Sequence, residues 1–144
     1  MTRFRIWVLG TLMLAVTGSG AVLANQAVPF KGNGTNSFTG GSGNTVTASG
    51  SGQATLLGEY TRTEALTFTS PVDFTGWVVF VAANGDELRC DMTGQFVSAT
   101  GAVGTYVITG GTGRFANATG QAEFRASLTS PGTFDVTFDG TVDR

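Results

Sequence analysis

Beyond its first two dozen residues the chain is a succession of short runs rich in Val, Thr and Phe, punctuated by Gly, Asn, Ser or Pro. No window of about eleven residues there carries an apolar stripe at helical spacing. Several short strands with turn signals between them predict an all-β sandwich or barrel. The clearest hairpin is Trp77 to Ala83, the pair Asn84-Gly85, then Asp86 to Thr93. Asn-Gly between β-rich runs favours a two-residue type I′ turn. That turn would set Ala83 opposite Asp86, Val81 opposite Leu88, Val79 opposite Cys90 and Trp77 opposite Met92. The resulting face is wholly apolar and is expected to line the core. The other face would pair Ala82 with Glu87, Phe80 with Arg89 and Val78 with Asp91, leaving Val78 and Phe80 to look outward among charges.

The last hairpin, Gln121 to Leu128 and Gly132 to Val142, alternates with few exceptions. Ala122, Phe124, Ala126 and Leu128 fall on one side, with Phe134, Val136 and Phe138 on the partner strand, so the register must be even to keep both sets on one face. Pairing Arg125 with Asp135 also separates Glu123 from Asp139, and like charges directly opposite destabilise. Upstream, Ala54 to Thr61 and Glu64 to Thr69 read as strands with a turn around Arg62, and Pro71 ends the second. The glycine-rich stretch from Lys31 to Gln53 is the loosest. It reads either as weak strands near Ser37 to Thr39 and Asn44 to Ala48 or as a disordered linker.

Tyr106 to Thr109 forms a strand that stops at Gly110, Gly111 and Gly113, which open the backbone to positive φ. Between there and Gly120 the chain has room for about one irregular or helical turn. Phe115 is the one large apolar residue in it, expected to fold back as a plug, so the segment reads as a lid over the end of a sheet or barrel. It is no phosphate loop: the Gly-x-Gly-x-x-Gly spacing is incomplete, Gly120 interrupts any helix, and no Gly-Lys-Ser/Thr occurs.

Gly110-Gly111-Thr112-Gly113-Arg114-Phe115-Ala116-x-Ala118-Thr119-Gly120 resembles the signature of small secreted bacterial proteins, whose barrel is similar to that of plant allene oxide cyclases and dirigent proteins. Pro29-Phe30-Lys31-Gly32, Ala54-Thr55-Leu56-Leu57-Gly58 and Ala82-Ala83-Asn84-Gly85-Asp86 also resemble that bacterial group. The resemblance implies a single antiparallel β-barrel of about eight strands, a count that can close without an exposed edge. The strand count alone also fits a sandwich. Val78 and Phe80, read as apolar residues facing outward, are the expected homo-oligomer contact, and the resemblance implies a trimer. The plant cyclases hold a lipid epoxide in an apolar cavity, and dirigent proteins steer the coupling of phenolic radicals. None of their catalytic residues falls in a motif that matches here.

At the N-terminus, Arg3 and Arg5 precede an apolar run from Ile6 to Val16, and small residues follow up to Ala24. Residues 1–24 are expected to be a cleavable signal peptide and 25–144 the domain, secreted or periplasmic. The apolar run is shorter than the roughly twenty residues of a membrane helix. Removing its two arginines leaves six basic residues (8 − 2) against ten acidic, a net charge of −4. That balance argues against nucleic acid and anionic membranes as partners.

Candidate chemistry is sparse. There is no histidine, and Cys90 is the only cysteine, so it has no disulfide partner in the chain and reads as a small core residue. Asp135, Asp139 and Asp143 fall about 13 Å apart along one strand, too far to share a calcium ion. No metal or cofactor is expected. Glu59 is the one weak catalytic candidate: inside an apolar barrel its charged form would be disfavoured, which suits acid–base work. Trp77, Val79, Val81, Leu88, Cys90, Met92 and Phe124 are the candidate cavity or core lining. The pattern points first to a non-enzymatic barrel that binds a small apolar ligand or a partner subunit. An isomerase with an apolar cavity and one carboxylate is the alternative, and a structural or adhesive surface protein a second.

Overall fold

The computed structural model describes residues 27–144, so the expected signal peptide lies outside the described residues. Eight strands follow one another: β1 (Val28–Ser42), β2 (Thr45–Ala54), β3 (Gly58–Phe68), β4 (Asp73–Val81), β5 (Glu87–Phe96), β6 (Gly101–Gly111), β7 (Thr119–Ser130) and β8 (Thr133–Asp143). Each pairs antiparallel with the next, and β1 closes on β8. The structure is a closed barrel, and the sandwich is excluded. A turn of 3-10 helix, Gly113–Phe115, is the one helical element among the described residues.

The glycine-rich segment forms two long paired strands, β1 and β2, rather than short strands or a linker. The glycines explain this. A Cβ on Gly34 or Gly52 would collide with the Tyr60 hydroxyl, and one on Gly50 with the Asn36 side chain. Missing side chains on the inner face make room for large neighbours, so these glycines serve packing rather than looseness.

Two further departures change which residues face inward. The turn after β2 lies at Thr55-Leu56-Leu57 and not at Arg62, so β3 runs unbroken through Arg62. In the Asn84-Gly85 hairpin, Ala82 N–H donates to Asp86 O at 2.8 Å and Gly85 N–H donates to Ala82 O at 2.9 Å. Three residues, not two, span the turn, with Gly85 at φ +95°. The pairing is therefore Phe80 with Leu88, Val79 with Arg89, Val78 with Cys90 and Trp77 with Asp91. A slip of one residue exchanges the faces of a strand. Trp77, Val79 and Val81 stand on the outer wall, whereas Val78 and Phe80 have no solvent exposure, which removes them as an oligomer contact.

The β7–β8 hairpin keeps the even register, but Phe124 faces Phe138, Arg125 faces Thr137 and Glu123 faces Asp139. The expected Arg125–Asp135 pair does not form. On the solvated wall the like charges cost little, and Lys31 lies 3.7 Å from Asp139. Inside, Phe30, Tyr60, Phe80, Tyr106, Phe124 and Phe138 fill the barrel, with Tyr106 and Phe124 stacked at 4.6 Å. Each fully buried large apolar side chain contributes about 1.5–3 kcal/mol.

At the glycine corner Gly110, Gly113 and Gly120 adopt positive φ, whereas Gly111, also expected to, does not and is the last residue of β6. Phe115 is wholly buried, plugging the end of the barrel that carries the β2–β3 and β4–β5 turns.

Candidate functional site

The inward face of β3 carries Tyr60, Arg62, Glu64 and Leu66 in alternation. Arg62 is 2 % exposed and Glu64 3 %, two charges inside a barrel lined mainly by apolar groups. Residues two apart on a strand share a face, and Arg62 Nη2 donates to Glu64 Oε1 at 2.5 Å. The rings of Phe80 and Tyr106 lie over the guanidinium, their centroids 5.0 and 5.6 Å from its carbon. Aromatic faces attract a cation, and the two rings, themselves 5.8 Å apart between centroids, lie together on one side of the guanidinium. Arg62 Nε and Nη1 and Glu64 Oε2 have no hydrogen-bond partner within the protein, and neither has the amide of buried Asn36.

Asn36, Gly50 and Arg62 form one cross-strand row over β1, β2 and β3, with Gly50 leaving room for the Asn36 side chain. In the next row toward the lid, Tyr60 Oη donates to Asn33 O at 3.0 Å. Burial alone would weaken the proton on Arg62, but Tyr106 and Glu64 outweigh it and the guanidinium is held more firmly charged than usual. The Tyr106 and Tyr60 phenols are pushed up by burial, and the Cys90 thiol is pushed up by burial to about 12.

A cavity of about 40 Å³ adjoins this cluster. Arg62 and Glu64 border it, Phe74, Met92, Tyr106 and Phe124 wall it, and Phe38, Phe96, Thr100 and Leu128 surround its mouth. The mouth opens at the end of the barrel opposite Phe115, and Phe38 there is 39 % exposed. The space is enough for about two or three water-sized groups. Any larger ligand has to extend through the mouth.

Of the expected lining residues, Met92 and Phe124 border this cavity. Leu88 and Cys90 are buried deeper, and Trp77, Val79 and Val81 lie outside. Glu59 is exposed on the outer wall, in a surface groove with Gln53, Asn33 and Lys31. The corner residues Gly110, Gly111, Gly113, Phe115 and Gly120 build the lid and do not line this cavity. Sequence reasoning missed Asn36, Arg62 and Glu64. The signal was present in the parity of Tyr60, Arg62, Glu64 and Leu66, but a turn placed at Arg62 broke the strand that would have revealed it.

Among the described residues no group of three or more metal-ligating side chains clusters. No protein-family model matches the chain, and no curated protein matches it in sequence. The fold is similar to that of the pterocarpan synthase dirigent protein GePTS1, at 15 % identity and a TM-score of 0.58, over 83 % of this chain and 86 % of that one. The architecture is thus a dirigent-like barrel.

Proposed function

We propose that this dirigent-like barrel is a non-catalytic binding protein that takes a small, mainly apolar molecule through its open end. The observation that carries this reading is the partly satisfied Arg62–Glu64 pair at the base of an apolar cavity. Buried polar atoms without partners are costly, and a mostly apolar pocket with a few convergent polar groups is the usual form of a ligand site. The asymmetry of the barrel supports the same reading: one end is plugged by Phe115 and the other is ringed by half-buried apolar side chains. Glu59, the carboxylate an isomerase would have used, stands outside. A leader at residues 1–24 would place the binding step outside the cytoplasm.

Native mass spectrometry of protein purified from its own cells tests this. The expected spectrum shows a small organic adduct, absent from an Ala126→Trp variant whose indole would fill the cavity. A wild-type protein free of adduct, with an open-end NMR spectrum unmoved by any apolar probe, would sink the reading.

A further inference from the structure

We infer that the group this cavity accepts is uncharged and both donates and accepts hydrogen bonds, as a hydroxyl or primary amide does. The inference rests on the binding reading above and specifies the chemistry of its ligand. A buried arginine by itself suggests a site for an anion. Here the charge is already matched, because Glu64 Oε1 accepts from Arg62 Nη2 and both side chains are almost fully withdrawn from water.

A carboxylate entering beside them would bring the dry cluster to a net charge of −1, and an ammonium to +1. An uncompensated buried charge is far more costly than an uncharged polar group. What the pair still lacks is hydrogen bonding of both kinds. Within the protein, Arg62 Nε and Nη1 have no acceptor and Glu64 Oε2 has no donor at hydrogen-bond geometry. These atoms are sealed off from the cavity at rest, so a side-chain shift on binding has to bare them; a hydroxyl then accepts from the first and donates to the second, leaving no new charge. The rings of Phe80 and Tyr106 close one side of the guanidinium, so a ligand has to meet it away from them. The small cavity limits the buried head to a few atoms and sends the apolar remainder out past Phe38 and Leu128.

Four six-carbon probes of matched shape decide the matter: 1-hexanol, hexanamide, hexanoate and hexylammonium. Each is titrated into the full chain at constant ionic strength while the Arg62 Nε–H resonance is followed. Hexanol and hexanamide are expected to shift that signal saturably, and the two ions to bind at least about thirtyfold more weakly. Hexanoate binding as tightly as hexanol would overturn the charge rule while leaving the cavity as a binding site. Silence from all four at Arg62 would overturn both. Glu64→Gln leaves the cluster at +1 and is expected to raise hexanoate relative to hexanol by at least about tenfold. An unchanged ratio would count against the inference. Should that variant not fold, the wild-type series alone decides.

Discussion

Arg62 Nη2 and Glu64 Oε1 lie 2.5 Å apart on neighbouring inward positions of β3, where side chains of this kind are almost never fully buried. Removing one partner strands the other charge. Arg62→Met alone is expected to destabilise the barrel by about 3–5 kcal/mol. The double variant Arg62→Met/Glu64→Leu should recover at least about 2 kcal/mol of that loss. Urea unfolding of both single variants and the double gives the coupling directly.

The position of the β4–β5 turn makes a second expectation. Phe80→Ala should cost about 3–5 kcal/mol, whereas Trp77→Ser on the outer wall should stay within about 0.5 kcal/mol. A two-residue turn at Asn84-Gly85 would reverse that order, so thermal denaturation of the two variants distinguishes the registers.

Glycines on β1 and β2 separate in the same way. A Cβ at Gly50 meets the Asn36 side chain and the Thr35 carbonyl, while one at Gly40 comes no nearer than 3.7 Å to Thr47 Oγ1. Gly50→Ala is expected to cost about 1–3 kcal/mol, and Gly40→Ala less than about 0.5 kcal/mol. Equal costs measured by chemical denaturation would contradict the close packing of this wall.

The lid is held from several sides. Arg114 Nη2 donates to Leu56 O at 2.7 Å, its guanidinium lies 4.7 Å from the Phe115 ring centroid, and Nε is 3.6 Å from Asp86. Phe115→Ala should destabilise by about 3–5 kcal/mol. It should also speed hydrogen exchange at Ala83, whose amide donates to Leu57 O beside the lid. Arg114→Ala removes a half-exposed pair and should cost far less.

Cys90 connects burial to pH. Its thiol has an ordinary value of 9.0, and burial pushes it to about 12 in the folded chain. Between those values the unfolded chain loses a proton that the folded one keeps, so stability is intact below pH 9 and falls as pH rises toward 12. Tyr60 and Tyr106, also raised by burial from an ordinary value of 10.0, act in the same direction as pH rises past 10. Iodoacetamide at pH 8 is expected to leave native Cys90 unlabelled and to modify it promptly in urea.

What the chain determined by itself is the alternation. Ala122, Phe124 and Ala126 on β7 and Phe134, Val136 and Phe138 on β8 are readable as one inner face, because strand side chains have a period of two and one face must leave water. The lid was equally legible, since Gly110, Gly113 and Gly120 answer a local backbone requirement and Phe115 is the only large apolar group between them. Parity was not legible. Whether Phe80 or Trp77 turns inward depends on one residue more or less in a turn, and Asn84-Gly85 is compatible with both counts. Whether Arg62 is a surface turn or a buried ion pair depends on Glu64, Phe80 and Tyr106 arriving around it, and on Gly50 leaving space one strand away. Those are contacts between strands, set by closure of the barrel, and no local stretch of sequence carries them.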